Sequence, residues 1–66
     1  MAEKMLISAS ETATRLGISL ETTLRLLEFG EIPAIRFGRN WKVPVKALDE
    51  WVIERAKAEA KERREE

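Results

Sequence analysis

The residues best suited to chemistry lie close together in the middle of the chain. From Arg36 to Lys46 the sequence carries Arg36, Arg39, Lys42 and Lys46 with no acid between them, a local charge of +4, and Asn40 adds an amide that can donate and accept. A compact set of cations of this kind neutralises phosphate, and the planar fork of a guanidinium matches phosphate oxygens two at a time. The rest of the composition points away from bond-making chemistry. With no Cys and no His, the chain lacks thiolate and imidazole, the usual nucleophile, general base and transition-metal ligand. Its Ser, Thr, Asp and Glu are scattered without a partner base. The sequence therefore reads as a binding protein and not an enzyme, with no metal, cofactor or small-molecule substrate expected.

The whole-chain charge by itself argues against a phosphate ligand, because 12 Lys and Arg balance 12 Asp and Glu. The distribution resolves this. Residues 47–66 hold seven acids against five bases, so the basic segment is followed by one of net −2. At 66 residues and 44% hydrophobic content there is enough chain for one small core, and not for a deep water-excluding pocket. No apolar run approaches the roughly 18 residues that would span a bilayer, and the start of the sequence lacks the layout of a signal peptide, so a cytoplasmic location is expected.

The elements that must position the cations can be read in order. Ser8-Ala9-Ser10-Glu11 fits a capping box, in which Ser8 accepts from the amide three residues on and Glu11 reaches back to the cap amide. A helix should start near Ala9, bury Ala13 and Leu16, and stop at Gly17. Ser19 supplies a second N-cap, and Thr23, Leu26 and Leu27 form the buried stripe of a second helix that ends before Gly30. Pro33 forces a change of structure. Ala34-Ile35-Arg36-Phe37 and Trp41-Lys42-Val43 then read as the strands of a hairpin around a Gly38-Arg39-Asn40 turn, with Arg36 and Lys42 as cross-strand neighbours on the solvent side. Phe37, Trp41 and Trp51 are expected in the core. Pro44 opens a last helix that packs Val45, Leu48, Trp51, Val52 and the stem of Arg55. Beyond Ala56 the sequence has high helix propensity but nothing large and apolar to anchor it, with Glu59 and Arg63 placed to pair at i,i+4. The expected fold class is mainly α with a small β-hairpin: helix, turn, helix, two-stranded wing, C-terminal helix. The expected organisation is a flexible N-terminus over 1–5, a domain over 6–55 and a charged, solvated helical extension over 56–66.

Two short helices joined at Gly17-Ile18-Ser19 match the helix-turn-helix layout, whose second helix enters a major groove. Leu6-Ile7-Ser8, Leu16-Gly17-Ile18-Ser19, Arg25-Leu26-Leu27, Gly30-Glu31-Ile32-Pro33-Ala34-Ile35, Phe37-Gly38-Arg39, Trp41-Lys42-Val43-Pro44, Ala47-Leu48 and Trp51 resemble the excisionase-type, MerR-like winged helix-turn-helix DNA-binding domains. The resemblance runs from Leu6 to about Val52, and its most telling part is Gly30 to Pro44. It implies double-stranded DNA as the partner, with the second helix in the major groove and the wing on adjacent backbone or minor groove. It also implies a role in recombination directionality or transcription control, alongside a recombinase or further copies of the chain on DNA.

Departures from that pattern fall on the second helix. The family commonly has a basic residue where Leu20 stands, an aromatic where Leu24 stands and a basic residue where Glu28 stands. With Thr23, Leu26 and Leu27 inward, the outward face holds Leu20, Glu21, Leu24, Arg25 and Glu28. Arg25 can read a base or a phosphate, Glu21 can accept from a cytosine amino group, and Leu20 or Leu24 can touch a thymine methyl. The candidate DNA-binding residues are thus Leu20, Glu21, Leu24 and Arg25 on the helix and Arg36, Arg39, Asn40 and Lys42 on the wing. The alternative is a protein-interaction module on the same fold, using Leu20, Leu24 and Phe29 as an apolar patch.

Overall fold

The structure is a computed structural model describing residues 4–65. Strand β1 (Leu6–Ser8) leads directly into helix α1 (Ala9–Leu16), followed by α2 (Leu20–Glu28), β2 (Ile35–Phe37), β3 (Asn40–Pro44) and α3 (Val45–Glu65). The three strands form one antiparallel sheet in the order β1-β3-β2. It is a winged helix-turn-helix in which the expected two-stranded wing has gained a third strand. Ile7 pairs with Val43 and Ser8 with Lys42, and the Val45 N–H donates to the Met5 carbonyl at 3.0 Å. Of the segment 1–5 expected to be flexible, residues 1–3 lie outside the described residues.

Both short helices start with the same device. Ser8 Oγ accepts from the Glu11 N–H at 3.1 Å, and the Thr12 hydroxyl donates back to the Ser8 carbonyl at 2.8 Å. Ser19 Oγ accepts from the Thr22 N–H at 3.1 Å, and the Thr23 hydroxyl donates to the Ser19 carbonyl at 3.0 Å. Thr12 and Thr23 are both fully buried, and each hydroxyl is satisfied by the cap residue of its own helix. The other half of the expected capping box is not made. Glu11 turns its carboxylate to Arg15 at 3.1 Å and Lys4 at 3.8 Å.

Between the helices, Gly17 takes a left-handed φ of 72°, and the Ile18 and Gly17 N–H groups donate to the carbonyls of Ala13 and Thr14 at 3.1 and 3.2 Å. This is the Schellman closure, which needs a residue without Cβ at that point. It ends α1 and releases the chain at Ser19 to begin α2.

Buried residues from four of the six elements and from one connection meet in the core: Ile7 from β1, Leu27 from α2, Ile32 from the connection, Val43 from β3 and Leu48 from α3. Trp41, Trp51, Leu24 and Leu26 pack half-buried around them. Residues paired across antiparallel strands share a face. Ile7, Val43, Trp41 and Arg36 therefore lie on one face of the sheet, and Ile35, Phe37, Asn40 and Lys42 on the other.

That register corrects two expectations, and the packing of α2 corrects a third. Phe37 is not a core residue; it is 54% exposed, on the outer face. Arg36 does not stand beside Lys42 but opposite Trp41, while Lys42 pairs with Ile35 on one side and Ser8 on the other. Leu24, expected on the outward face of α2, is half-buried against the core. Along α3 the packed face is shorter than expected, since Val52 is exposed. Glu59 accepts from Arg55 at 3.0 Å in place of pairing with Arg63. Arg55 also reaches Glu31 at 3.2 Å and lies over the Trp51 ring at 5.3 Å, tying α3 to the connection after α2. Its pKa is raised chiefly by the Glu59 hydrogen bond, with Glu31 adding to the effect and burial opposing it.

Candidate nucleic-acid interface

The wing is shaped by its turn. Phe37 pairs with Asn40, so the loop is only Gly38 and Arg39, with Asn40 already the first residue of β3. Gly38 has a φ of 63° and Arg39 has no positive φ. Left-handed geometry at the first loop position alone is the pattern of a type II′ turn, whose twist suits a hairpin and which asks for glycine there. The turn holds Arg39 at the tip, exposed to solvent and adjoining Asn40.

Facing this tip is a groove of about 240 Å³ bounded by three elements. Ser8, Ala9 and Ser10 contribute the start of α1, Leu20 and Leu24 one row of α2, and Arg39, Asn40, Trp41 and Lys42 the wing. Five of the eight candidate residues are thus brought together: Leu20, Leu24, Arg39, Asn40 and Lys42. Glu21 and Arg25 lie outside the groove lining. They are exposed on α2 and joined by an ion pair at 3.3 Å. Arg36 stacks its guanidinium over Trp41, 5.0 Å from the ring centroid. Sequence reasoning missed the start of α1 and Trp41 as groove residues. The sequence marks Ser8 as the cap of α1, but its place beside Lys42 comes only from the sheet.

Charge separates the wing from the first two helices. Lys4, Arg15, Arg25, Arg55 and Lys57 each have a carboxylate within ion-pair distance. Among the described residues none of the wing cations Arg36, Arg39 and Lys42 does, nor does Lys46 at the start of α3. Stacking on Trp41 occupies a face of the Arg36 guanidinium and leaves its N–H edges able to donate. The wing therefore presents uncompensated positive charge, whereas α2 presents a neutral pair. Among the described residues there is no cluster of three or more His, Cys, Asp or Glu that could hold a metal ion, and no helix long and apolar enough to cross a membrane.

Residues 6–56 match the family described as Helix-turn-helix domain. The chain belongs to that helix-turn-helix family. Among its relatives, Putative DNA-binding protein Rv0500A of Mycobacterium tuberculosis (strain H37Rv) is 38% identical over 47 residues, covering 71% of this chain and 60% of the relative. A protein named Probable excisionase from Saccharopolyspora erythraea is 31% identical over 51 residues, covering 77% of this chain and 52% of its own length. The helix-turn-helix chain thus spans little more than half the length of the relatives it matches. No solved structure matches it.

Proposed function

We propose that this helix-turn-helix domain acts by binding double-stranded DNA and carries out no catalysis. In this reading α2 enters the major groove with Leu20, Glu21, Leu24 and Arg25, and Arg36, Arg39, Asn40 and Lys42 of the wing lie on adjacent backbone or minor groove. The observation that carries it is the set of wing cations without a carboxylate partner among the described residues, two of which, Arg39 and Lys42, lie across a groove from the exposed start of α2. Relatives named as DNA-binding protein and excisionase support the same reading. In this reading the chain is a cytoplasmic, excisionase-like directionality factor or small transcription regulator with a MerR-like arrangement, and the relative named as an excisionase supports the first of these roles. Residues 6–55 would be the binding unit and 56–66 a solvated extension.

Direct binding to a duplex pool over a salt series tests this. If Arg36, Arg39 and Lys42 each neutralise one phosphate, log K falls against log salt with a slope of about −3. Absence of binding to any duplex at low salt sinks the reading. A surface of this size binds modestly on its own, so tight sites require copies side by side or a recombinase partner.

A protein-interaction role through Leu20 and Phe29 is the second reading, favoured by the 75% exposure of Phe29 and 43% of Leu20. Leu24 supports it less, because it packs against the core. Such binding would depend little on salt.

A further inference from the structure

The ion pair between Glu21 and Arg25 lies on the surface of α2 and contributes only weakly to that helix. Both side chains are largely exposed, 82% and 66%, and neither touches the core. They stand four residues apart, so they form one row on the first turns of α2, beside the row of Leu20 and Leu24 that lines the groove. Arg25 is the one cation on α2, and Glu21 holds it at 3.3 Å. Among the described residues the wing cations have no such partner.

From this contrast we propose that Glu21 and Arg25 act as a single unit that reads a G·C pair and keeps α2 from binding DNA backbone indiscriminately; the inference rests on the DNA-binding reading above. Positive charge for phosphate comes from the wing. Arg25 can reach a phosphate only by leaving Glu21 or by carrying that carboxylate towards the anionic backbone, and either route weakens the contact. A guanine edge poses no such conflict. The guanidinium has five N–H donors, so it can give two to guanine O6 and N7 and still keep one on Glu21. The second oxygen of Glu21 is then free to accept from a cytosine amino group. Four residues of helix rise about 6 Å and neighbouring base pairs are about 3.4 Å apart, so both contacts fall within one or two adjacent base pairs. A carboxylate that repels backbone while accepting from one base discriminates against wrong sequences by unfavourable contact.

The test is selection of duplexes from a randomised pool by the full chain and by Glu21→Gln and Arg25→Ala, followed by binding of each to one unrelated duplex over a salt series. Both substitutions fall at exposed positions, and far-UV circular dichroism verifies that the fold is retained. The parent should enrich a G·C pair at a fixed position. Glu21→Gln should lose that enrichment and bind the unrelated duplex about fivefold more tightly, with a log-log salt slope steeper by about 0.9. Arg25→Ala should lose the same enrichment without gaining affinity for the unrelated duplex. A parent that binds DNA together with a Glu21→Gln variant of unchanged enrichment and unchanged affinity for the unrelated duplex overturns this inference alone. A parent that binds no duplex overturns the DNA-binding reading and this inference with it.

Discussion

Arg36 stands directly across the hairpin from Trp41, its guanidinium carbon 5.0 Å from the centre of the indole ring. The pair joins the two jobs of the wing. Trp41 packs half-buried against the core, and Arg36 lies on its exposed surface as an uncompensated cation.

Because the stack is a contact between neighbours, its two members should not contribute independently to stability. A double-mutant cycle of Arg36→Ala and Trp41→Ala, read by urea denaturation, should give a coupling of about 0.5–1 kcal/mol, the range for an exposed cation over an aromatic face. Trp41→Ala alone should cost more, about 2–3 kcal/mol, because it also removes packing against the core.

At the hairpin tip a different balance applies. Arg39 has no partner to lose among the described residues, so Arg39→Ala should leave the thermal midpoint within about 1 °C while weakening binding to all duplexes alike. The log-log salt slope should become shallower by about 0.9. Fluorescence anisotropy with one selected and one unrelated duplex measures both effects; a loss confined to the selected duplex would assign Arg39 to base readout instead.

The paired caps make a prediction about folding. Ser19→Ala should destabilise by about 1 kcal/mol, since it deprives the Thr22 N–H of its acceptor at the start of α2. Ser8→Ala should cost about the same at α1. In urea both should lower the midpoint and leave the m-value unchanged.

Shortening the chain after Ala56 should change the stability of the fold by less than about 1 kcal/mol. Every core residue lies before that point, and the lost ion pairs are the exposed Arg55 to Glu59 and Glu54 to Lys57 pairs. Affinity for DNA should also be unchanged, because the candidate contacts all lie between Leu20 and Lys42. Chemical denaturation and anisotropy on the shortened chain check the two statements.

The helices were legible in the sequence because their punctuation is local. Ser8, Gly17 and Ser19 each satisfy or release backbone groups within a few residues, so their meaning needs no distant partner. The sheet was less legible. Leu6-Ile7-Ser8 is too short to show a period, and it becomes a strand only by pairing with the far end of the wing. The errors at Phe37 and Arg36 share one cause. Reading Gly38-Arg39-Asn40 as a three-residue loop sets Arg36 opposite Lys42, whereas the two-residue loop sets it opposite Trp41. A slip of one residue in an antiparallel pair exchanges the faces of a strand, which is how an aromatic side chain moved from the core to solvent. At the candidate site, Arg39, Asn40 and Lys42 were found as a sequence cluster. That Leu20 and Leu24 would face them could come only from tertiary packing.

The place of β3 in the middle of the sheet governs how the wing can behave. A hairpin joined to its domain at one end would be a loose arm, free to settle on whatever surface it met. Here β3 is pinned on both sides, by β2 along one edge and by β1 along the other, and the Val43 side chain on it is fully buried. The distance from Arg39 to α2 is therefore set before any ligand arrives, like the jaws of a caliper locked to one width. A duplex held there need not order the wing, so little affinity is spent on that step. The same locked gap makes groove width itself a criterion of fit, and an A-form helix, with its deep and narrow major groove, should be refused on shape before any base is read.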